Sequence, residues 1–196
     1  KSINVVVIKL NYLIGPQHCV KIAKKLGITS PTKAVLSTPL GSNEVTMMEL
    51  TSAYGTIATM GKKVPPAGII RIEDRDGSPL YEYKAKPTQV YNSNLLATLV
   101  DMMQGIIKNG TGKGANLPRP IAGKTGTTSD YRDAWFVGFA PQLVCAAWVG
   151  NDDNTPTVKV TGGGVPAQIW KEYMIEALKD VPYHYFKKPK NLVNLK

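Results

Sequence analysis

The stretch IAGKTGTTSDYRDAWFVGFAP, residues 121–141, sets a lysine, three threonines and two glycines directly before the apolar run Ala-Trp-Phe-Val-Gly-Phe-Ala. Residues 124–128 are too polar and glycine-rich for a core strand, yet a core strand follows at once. The segment is therefore either an ordinary edge strand and turn or a strand whose exposed edge is a binding surface. A lysine and hydroxyls on such an edge suit a carboxylate-bearing ligand that lies alongside and pairs with the free N–H and C=O groups as an added strand would. Thr125 and Thr127 alternate with Lys124 and Gly126, so both hydroxyls fall on one side of the pleat. Gly126 lets another chain approach the backbone closely. Three letters, Lys-Thr-Gly, are a weak signal alone. The continuation through Thr127 and Thr128 into DAWFVGFAP strengthens it.

The other candidates are weaker. Ser30-Pro31-Thr32-Lys33 is the one Ser-x-x-Lys in the chain, and Ser2-Ile3-Asn4 the one Ser-x-Asn. A nucleophilic serine needs to open a buried helix so that a lysine one turn on reaches its hydroxyl. Pro39-Leu40-Gly41 follows Ser30 too soon for such a helix, and the motif reads as a decoy. Ser2 and Asn4, taken alone, are unremarked residues near a terminus. Ser129-Asp130-Tyr131 follows the lysine motif. The GTGKG of residues 110–114 ends a helix instead of opening one, which argues against a phosphate cradle. Asn151-Asp152-Asp153 lacks the further carboxylate and spacing of a calcium loop and reads as a solvated turn. Cys19 and Cys145 sit in apolar contexts without metal-ligand spacing; they read as buried free thiols and leave the redox compartment open.

The elements that must position these residues follow from periodicity. Cys19, Ile22, Ala23 and Leu26 predict a helix over 16–26 that ends at Gly27. Residues 28–45 have loop composition. Thr46 and Glu49 form a capping box before a helix with Met47, Leu50, Tyr54 and Ile57 as its core stripe, closed by Gly61. Short strands over 64–90 surround a turn at Asp76-Gly77. A helix over 93–108 turns Leu95, Leu99, Met102 and Ile106 inward. Residues 120–128, 134–140 and 143–150 read as successive strands, the last two joined at Pro141-Gln142 and apolar on both faces, which requires helices on both sides of the sheet. A last helix over 166–178 carries Ile169, Trp170, Tyr173, Met174 and Ala177. The fold class is α+β, an antiparallel sheet covered by helices.

The chain has 196 residues, 43% of them hydrophobic, and a net charge of +10. That is enough for one sizeable core, and no segment approaches the apolar length of a membrane span. The excess charge lies at the ends: residues 1–43 carry six lysines and no acid, and residues 179–196 carry five lysines against Asp180. No basic stripe interleaved with aromatics appears, which argues against nucleic acid as a partner.

AGKTGTTSDYRDAWFVGFAP, then CAAWVGNDD, then GGGVPAQIWKEYM, resembles the C-terminal half of a penicillin-binding transpeptidase, and the class A (bifunctional, peptidoglycan-building) branch fits best. LGSNEVTMMELTSAYGTIATMG and MMQGIIKNGTG are similar to upstream segments of the same family, so the resemblance runs in order along essentially the whole chain. It implies a partial domain of penicillin-binding transpeptidase or serine β-lactamase type over 1–180, followed by a basic C-terminal tail over 181–196. The active-site set of this superfamily comprises Ser-x-x-Lys, a second Ser-x-Asn type motif and Lys-Thr-Gly. By resemblance, Ser2 and Asn4 supply the second motif and Lys124-Thr125-Gly126 the third, and Ser2, Asn4 and Lys124 become the catalytic candidates. Thr125, Gly126, Thr127 and Thr128 become the substrate-binding ones.

The resemblance implies a D,D-transpeptidase acting on D-Ala-D-Ala stem peptides, a target of β-lactams, with no metal or organic cofactor. Lys124 would supply charge and share a proton network with Ser2, Asn4 would bind the acyl donor's amide, and Thr125 and Thr127 would hold its carboxylate. The Thr127 N–H would be one oxyanion donor. The family's nucleophile motif precedes Ser-x-Asn, so it is expected outside this chain. The protein is expected on the outer face of the bacterial cytoplasmic membrane, anchored through a segment absent here. A D,D-carboxypeptidase or serine β-lactamase shares Lys-Thr-Gly, but the GTT…DAWFVG continuation argues against both. A non-catalytic peptidoglycan- or partner-binding fragment is the reading from another class.

Overall fold

The computed structural model describes residues 2–190. Lys1 and the last six residues of the expected basic tail lie outside the described residues. At the centre is a three-stranded antiparallel sheet of β5 (Ala122–Thr127), β6 (Asp133–Phe139) and β7 (Val144–Gly150) in the order β5-β6-β7. Register is unbroken from Ala122 opposite Phe139 to Thr127 opposite Ala134, and from Asp133 opposite Gly150 to Phe139 opposite Val144. Pro141 and Gln142 make the turn between β6 and β7, closed by Ala140 N–H donating to Leu143 O at 2.9 Å. The two edges of the sheet are β5 and β7.

Both faces are covered, as continuous apolar runs in β6 and β7 require. On one face α5 (Val165–Ala177) buries Trp170 and Met174 against Phe136, Ala147 and Ile121. The Trp170 indole donates to Gly138 O at 3.2 Å and Cys145 O at 3.1 Å, so its polar atom is satisfied inside the core. On the other face α3 (Met47–Ala58) and α4 (Ser93–Asn109) pack Ile57, Leu96, Val100 and Met103 over Ala122 and Phe139. Tyr54 meets Phe139 edge-on. The α+β layering is therefore helix, sheet, helix pair.

The local signals act as expected at several helix ends. Thr46 Oγ1 accepts from Glu49 N–H while the Glu49 carboxylate accepts from Thr46 N–H, so the capping box that starts α3 is formed. Asn92 caps α4 by accepting from the N–H groups of Asn94 and Leu95. Gly27, at φ +128°, ends α2 (Pro16–Leu26). Residues 62–89 form two small antiparallel pairs, the hairpin of β2 (Arg71–Glu73) with β3 (Pro79–Glu82) and, outside it, β1 (Lys62–Lys63) with β4 (Thr88–Gln89).

The inward faces of two helices differ from expectation. In α4 the buried residues are Leu96, Ala97, Val100, Met103 and Ile107, whereas Leu95 and Met102 are 58% and 65% exposed and Leu99 is also exposed. Two apolar stripes of equal period lie one residue apart, and the one that includes small Ala97 is seated under the sheet. In α5 the line Ala167, Trp170, Met174 and Leu178 is buried, and Ile169, Tyr173 and Ala177 face outward. The sheet covers only one ridge of that helix. Met47 of α3 is likewise exposed, standing in the first turn beyond the sheet.

An additional helix, α1 (Asn4–Ile14), precedes α2, and Gly15 at φ +87° makes the corner between them. Asn11 is its buried residue, and its amide donates to Val35 O at 3.2 Å and Leu36 O at 3.1 Å. Residues 181–190 run back across α4. Phe186 packs edge-on against Phe139, Arg119 lies over the Tyr183 ring, and Lys190 N–H donates to Asn94 Oδ1 at 2.6 Å. Cys19 and Cys145 are free thiols, half-buried instead of fully buried, and burial raises the pKa of each.

Candidate functional site

β5 carries Lys124, Thr125, Gly126 and Thr127 along the open edge of the sheet. Ala122 enters the core beneath α3 and α4, so Lys124 and Gly126, two and four residues on, share that face. Thr125 and Thr127 point to the other. The Lys124 side chain bends around the edge, where its ammonium donates to Thr125 O at 2.7 Å and to Ser2 Oγ at 3.2 Å. Ser2 thus reaches the lysine from the start of α1, whose first residue is Asn4. Burial pulls the Lys124 pKa below the ordinary lysine value, because removal from water penalises the charged form.

A cleft of about 590 Å³ opens beside this contact, lined by Ser2, Asn4, Thr111, Thr125, Thr127 and the loop Thr161–Gly164. The structure therefore brings Ser2, Asn4, Lys124, Thr125 and Thr127 to one place. Gly126 lies under the loop instead of lining the cleft: a Cβ on the opposing Gly162 would collide with its backbone, so the loop after β7 lies directly on the strand. Gly162 N–H donates to Thr127 Oγ1 at 3.0 Å. Thr128 is not part of the cleft lining. Its hydroxyl turns back to accept from Asp133 N–H at 2.7 Å, which closes the turn into β6.

Two contributors were not foreseen. Thr111, in the turn after α4, lies 2.7 Å from Thr125, hydroxyl to hydroxyl. The second is the 161–164 loop, of which Thr161, Gly163 and Gly164 line the cleft. The available signal was glycine density: GTG at 110–112 and TGGG at 161–164 both mark places where backbones approach too closely for side chains. At Gly163 a Cβ would overlap the Thr111 carbonyl.

Ser30 has a different task. It lies in a loop, its N–H donates to Glu49 Oε1 at 2.8 Å and its hydroxyl to Glu49 Oε2 at 2.5 Å, while Lys33 is exposed. The Ser30 and Lys33 pair has neither a helix to hold it nor a free hydroxyl. Among the described residues there is no cluster of His, Cys, Asp and Glu that could hold a metal ion, and no helix is long and apolar enough to cross a membrane.

An edge strand bearing Lys-Thr-Gly-Thr, on an antiparallel sheet with helices on both faces, belongs to a fold of the penicillin-binding transpeptidase and β-lactamase type. Residues 1–174 match the penicillin binding protein transpeptidase domain, and the chain belongs to that family, on its class A branch. It is 35% identical over 203 aligned residues to penicillin-binding protein 2D of Bacillus subtilis (strain 168), covering 99% of this chain and 29% of that protein. The fold matches that of penicillin-binding protein 1A from Haemophilus influenzae with a TM-score of 0.91 at 23% identity, over 98% of this chain and 35% of the other. The PonA1 protein of Mycobacterium tuberculosis, in complex with penicillin V, matches with a TM-score of 0.78 at 28% identity, over 87% of this chain and 52% of the other. The chain thus spans under a third of the length of the B. subtilis relative.

Proposed function

We propose that this chain is the C-terminal part of a D,D-transpeptidase domain that cross-links peptidoglycan by an acyl-serine mechanism and is a target of β-lactams. The observation that carries the reading is the 3.2 Å bond from Lys124 to Ser2 beside a cleft lined by Ser2, Asn4, Thr125 and Thr127. An extended stem peptide ending in D-Ala-D-Ala has the shape to lie along the open edge of β5 as an added strand. Its terminal carboxylate meets the hydroxyls of Thr125 and Thr127. Asn4, which also lines the cleft, suits the amide of the acyl donor. The Thr127 N–H is one of the two donors for the oxyanion of the tetrahedral intermediate. The attacking serine oxygen bonds to the penultimate alanine carbonyl carbon, the C–N bond to the last alanine breaks, and that amine takes a proton. A lysine whose charge is disfavoured by burial gives up its proton readily, and Ser2 is placed to relay it. A second amine then takes the acyl group and returns the serine.

The attacking serine belongs to a Ser-x-x-Lys outside this chain. Ser30, which heads the chain's one such motif, holds Glu49. In the intact protein the domain sits on the outer face of the bacterial cytoplasmic membrane, held by a segment beyond this chain. Incubation with a labelled penicillin followed by intact-mass measurement tests the reading. The isolated chain is expected to gain no adduct and the longer parent one, because loss of the nucleophile removes nearly all covalent turnover. A stoichiometric adduct on Ser30 of the isolated chain would overturn it.

A further inference from the structure

We propose that Thr111 is a positioning residue for the ligand carboxylate, acting through the hydroxyl of Thr125; the inference rests on the carboxylate reading of the β5 cleft. The argument is a count of hydroxyl protons. Thr127 Oγ1 accepts from Gly162 N–H at 3.0 Å, so the loop occupies one of its lone pairs and the hydroxyl's own proton remains available to a ligand in the cleft it lines. Thr125 and Thr111 face each other at 2.7 Å and either hydroxyl can donate; with Thr111 donating, the Thr125 oxygen is held and its own O–H is the one left free for the cleft. The cleft therefore presents two free hydroxyl donors from three threonines, one for each oxygen of a carboxylate. A carboxamide in the same place offers one acceptor oxygen and an NH₂ that needs an acceptor instead.

Thr111 is held firmly enough to set this orientation. Gly112 N–H, next in the chain, donates to Ile106 O at 3.1 Å, and the following turn is buried at Ala115. Gly163 lies against the Thr111 carbonyl with no space for a Cβ. Without the Thr111 hydroxyl, the Thr125 hydroxyl loses the neighbour that fixes its rotor. It then turns between the cleft and its own strand, and the paired donors are lost. The position is outside the three motifs that identify the family, and its contribution is visible only in the fold.

The test uses the 196-residue chain and two probes, N-acetyl-D-Ala-D-Ala and its C-terminal amide, titrated while the Thr125 and Thr127 amide resonances are followed. The unaltered chain is expected to prefer the acid by about tenfold or more, the scale of one hydrogen bond to a charged group. Thr111→Val, nearly equal in size, is expected to bring that ratio close to one, and Thr111→Ser to restore it. Thr125→Val is expected to do the same as Thr111→Val, and the double variant no more, because both act on one donor. A correctly folded Thr111→Val chain that keeps the full preference would overturn the inference and leave the function reading intact. So would full additivity of the two losses. If Thr111→Val fails to fold, Thr111→Ala is read the same way. Absence of any preference in the unaltered chain would overturn the carboxylate reading itself.

Discussion

Gly162 donates its N–H to the Thr127 hydroxyl while its α-carbon faces the backbone of Gly126, so one glycine sets the donor and leaves no space for a side chain. A Cβ there would lie 2.9 Å from Gly126 N and collide with the carbonyls of Gly126 and Trp135. Gly162→Ala is expected to push the loop off the strand, break the bond to Thr127 and cost about 1–3 kcal/mol, the range for overpacking a tight contact. Urea unfolding measures the cost, and the amide resonances of Gly126 and Thr127 should shift with it. An alanine variant of unchanged stability would show that the loop is free to move.

The Glu49 carboxylate accepts from the N–H and O–H groups of Thr29, Ser30 and Thr46, and these bonds hold its pKa well below the ordinary glutamate range. The hydroxyl of Ser30 is the largest contributor, followed by that of Thr29. A depressed carboxylate contributes stability that is fully present above its unfolded pKa and is lost as pH falls through and below that value. Glu49→Gln is expected to lower stability at neutral pH and to flatten the acid limb of a stability profile. A variant with the same acid limb as the unaltered chain would remove Glu49 from that role.

Lys124 has the opposite linkage. Burial lowers its folded pKa, so the folded state carries a cost below that pKa that is relieved as pH rises toward the unfolded value. The stability of the chain relative to Lys124→Met is therefore expected to increase between neutral and alkaline pH. Chemical denaturation at several pH values reads the difference. A pH-independent difference would mean that contact with Ser2 and Thr125 compensates the burial fully.

Trp170 is fully buried and donates its one polar hydrogen to two carbonyls of the β6–β7 hairpin. Trp170→Phe leaves those carbonyls without that donor and is expected to cost about 1–3 kcal/mol. Trp170→Ala adds a cavity and is expected to cost about 3–5 kcal/mol. Thermal and denaturant unfolding of the pair separates the hydrogen bonds from the volume. Equal losses in the two variants would assign the whole effect to the polar atom.

The sheet and the strand edge were legible because their signals are local. Alternation placed Thr125 and Thr127 together, and the runs around Trp135 and Val149 required cover on both faces. The Thr46–Glu49 box fixed the start of α3 for the same reason. The inward face of α4 was not legible, since Leu95 and Leu96 head stripes of identical period and the choice between them belongs to the sheet beneath. Thr111 escaped notice because its partner Thr125 is fourteen residues away across a turn. The site role of Ser2 came from resemblance alone: nothing near a chain terminus announces a contact with a strand more than a hundred residues distant.

That contact has a kinetic consequence. Ser2 and Lys124 are 122 residues apart, so bringing them together closes a loop that spans most of the chain. The entropy of closing a loop grows only slowly with its length, but long-range pairings form late because earlier contacts must first shorten the effective path. The β6–β7 hairpin and the capped start of α3 are local and can form early. The cleft, assembled from the second residue and the edge strand β5, can be complete only when α1 has docked. Ligand binding to this chain would thus report the last step of folding, and a refolding chain should regain its tryptophan signal before it regains its affinity.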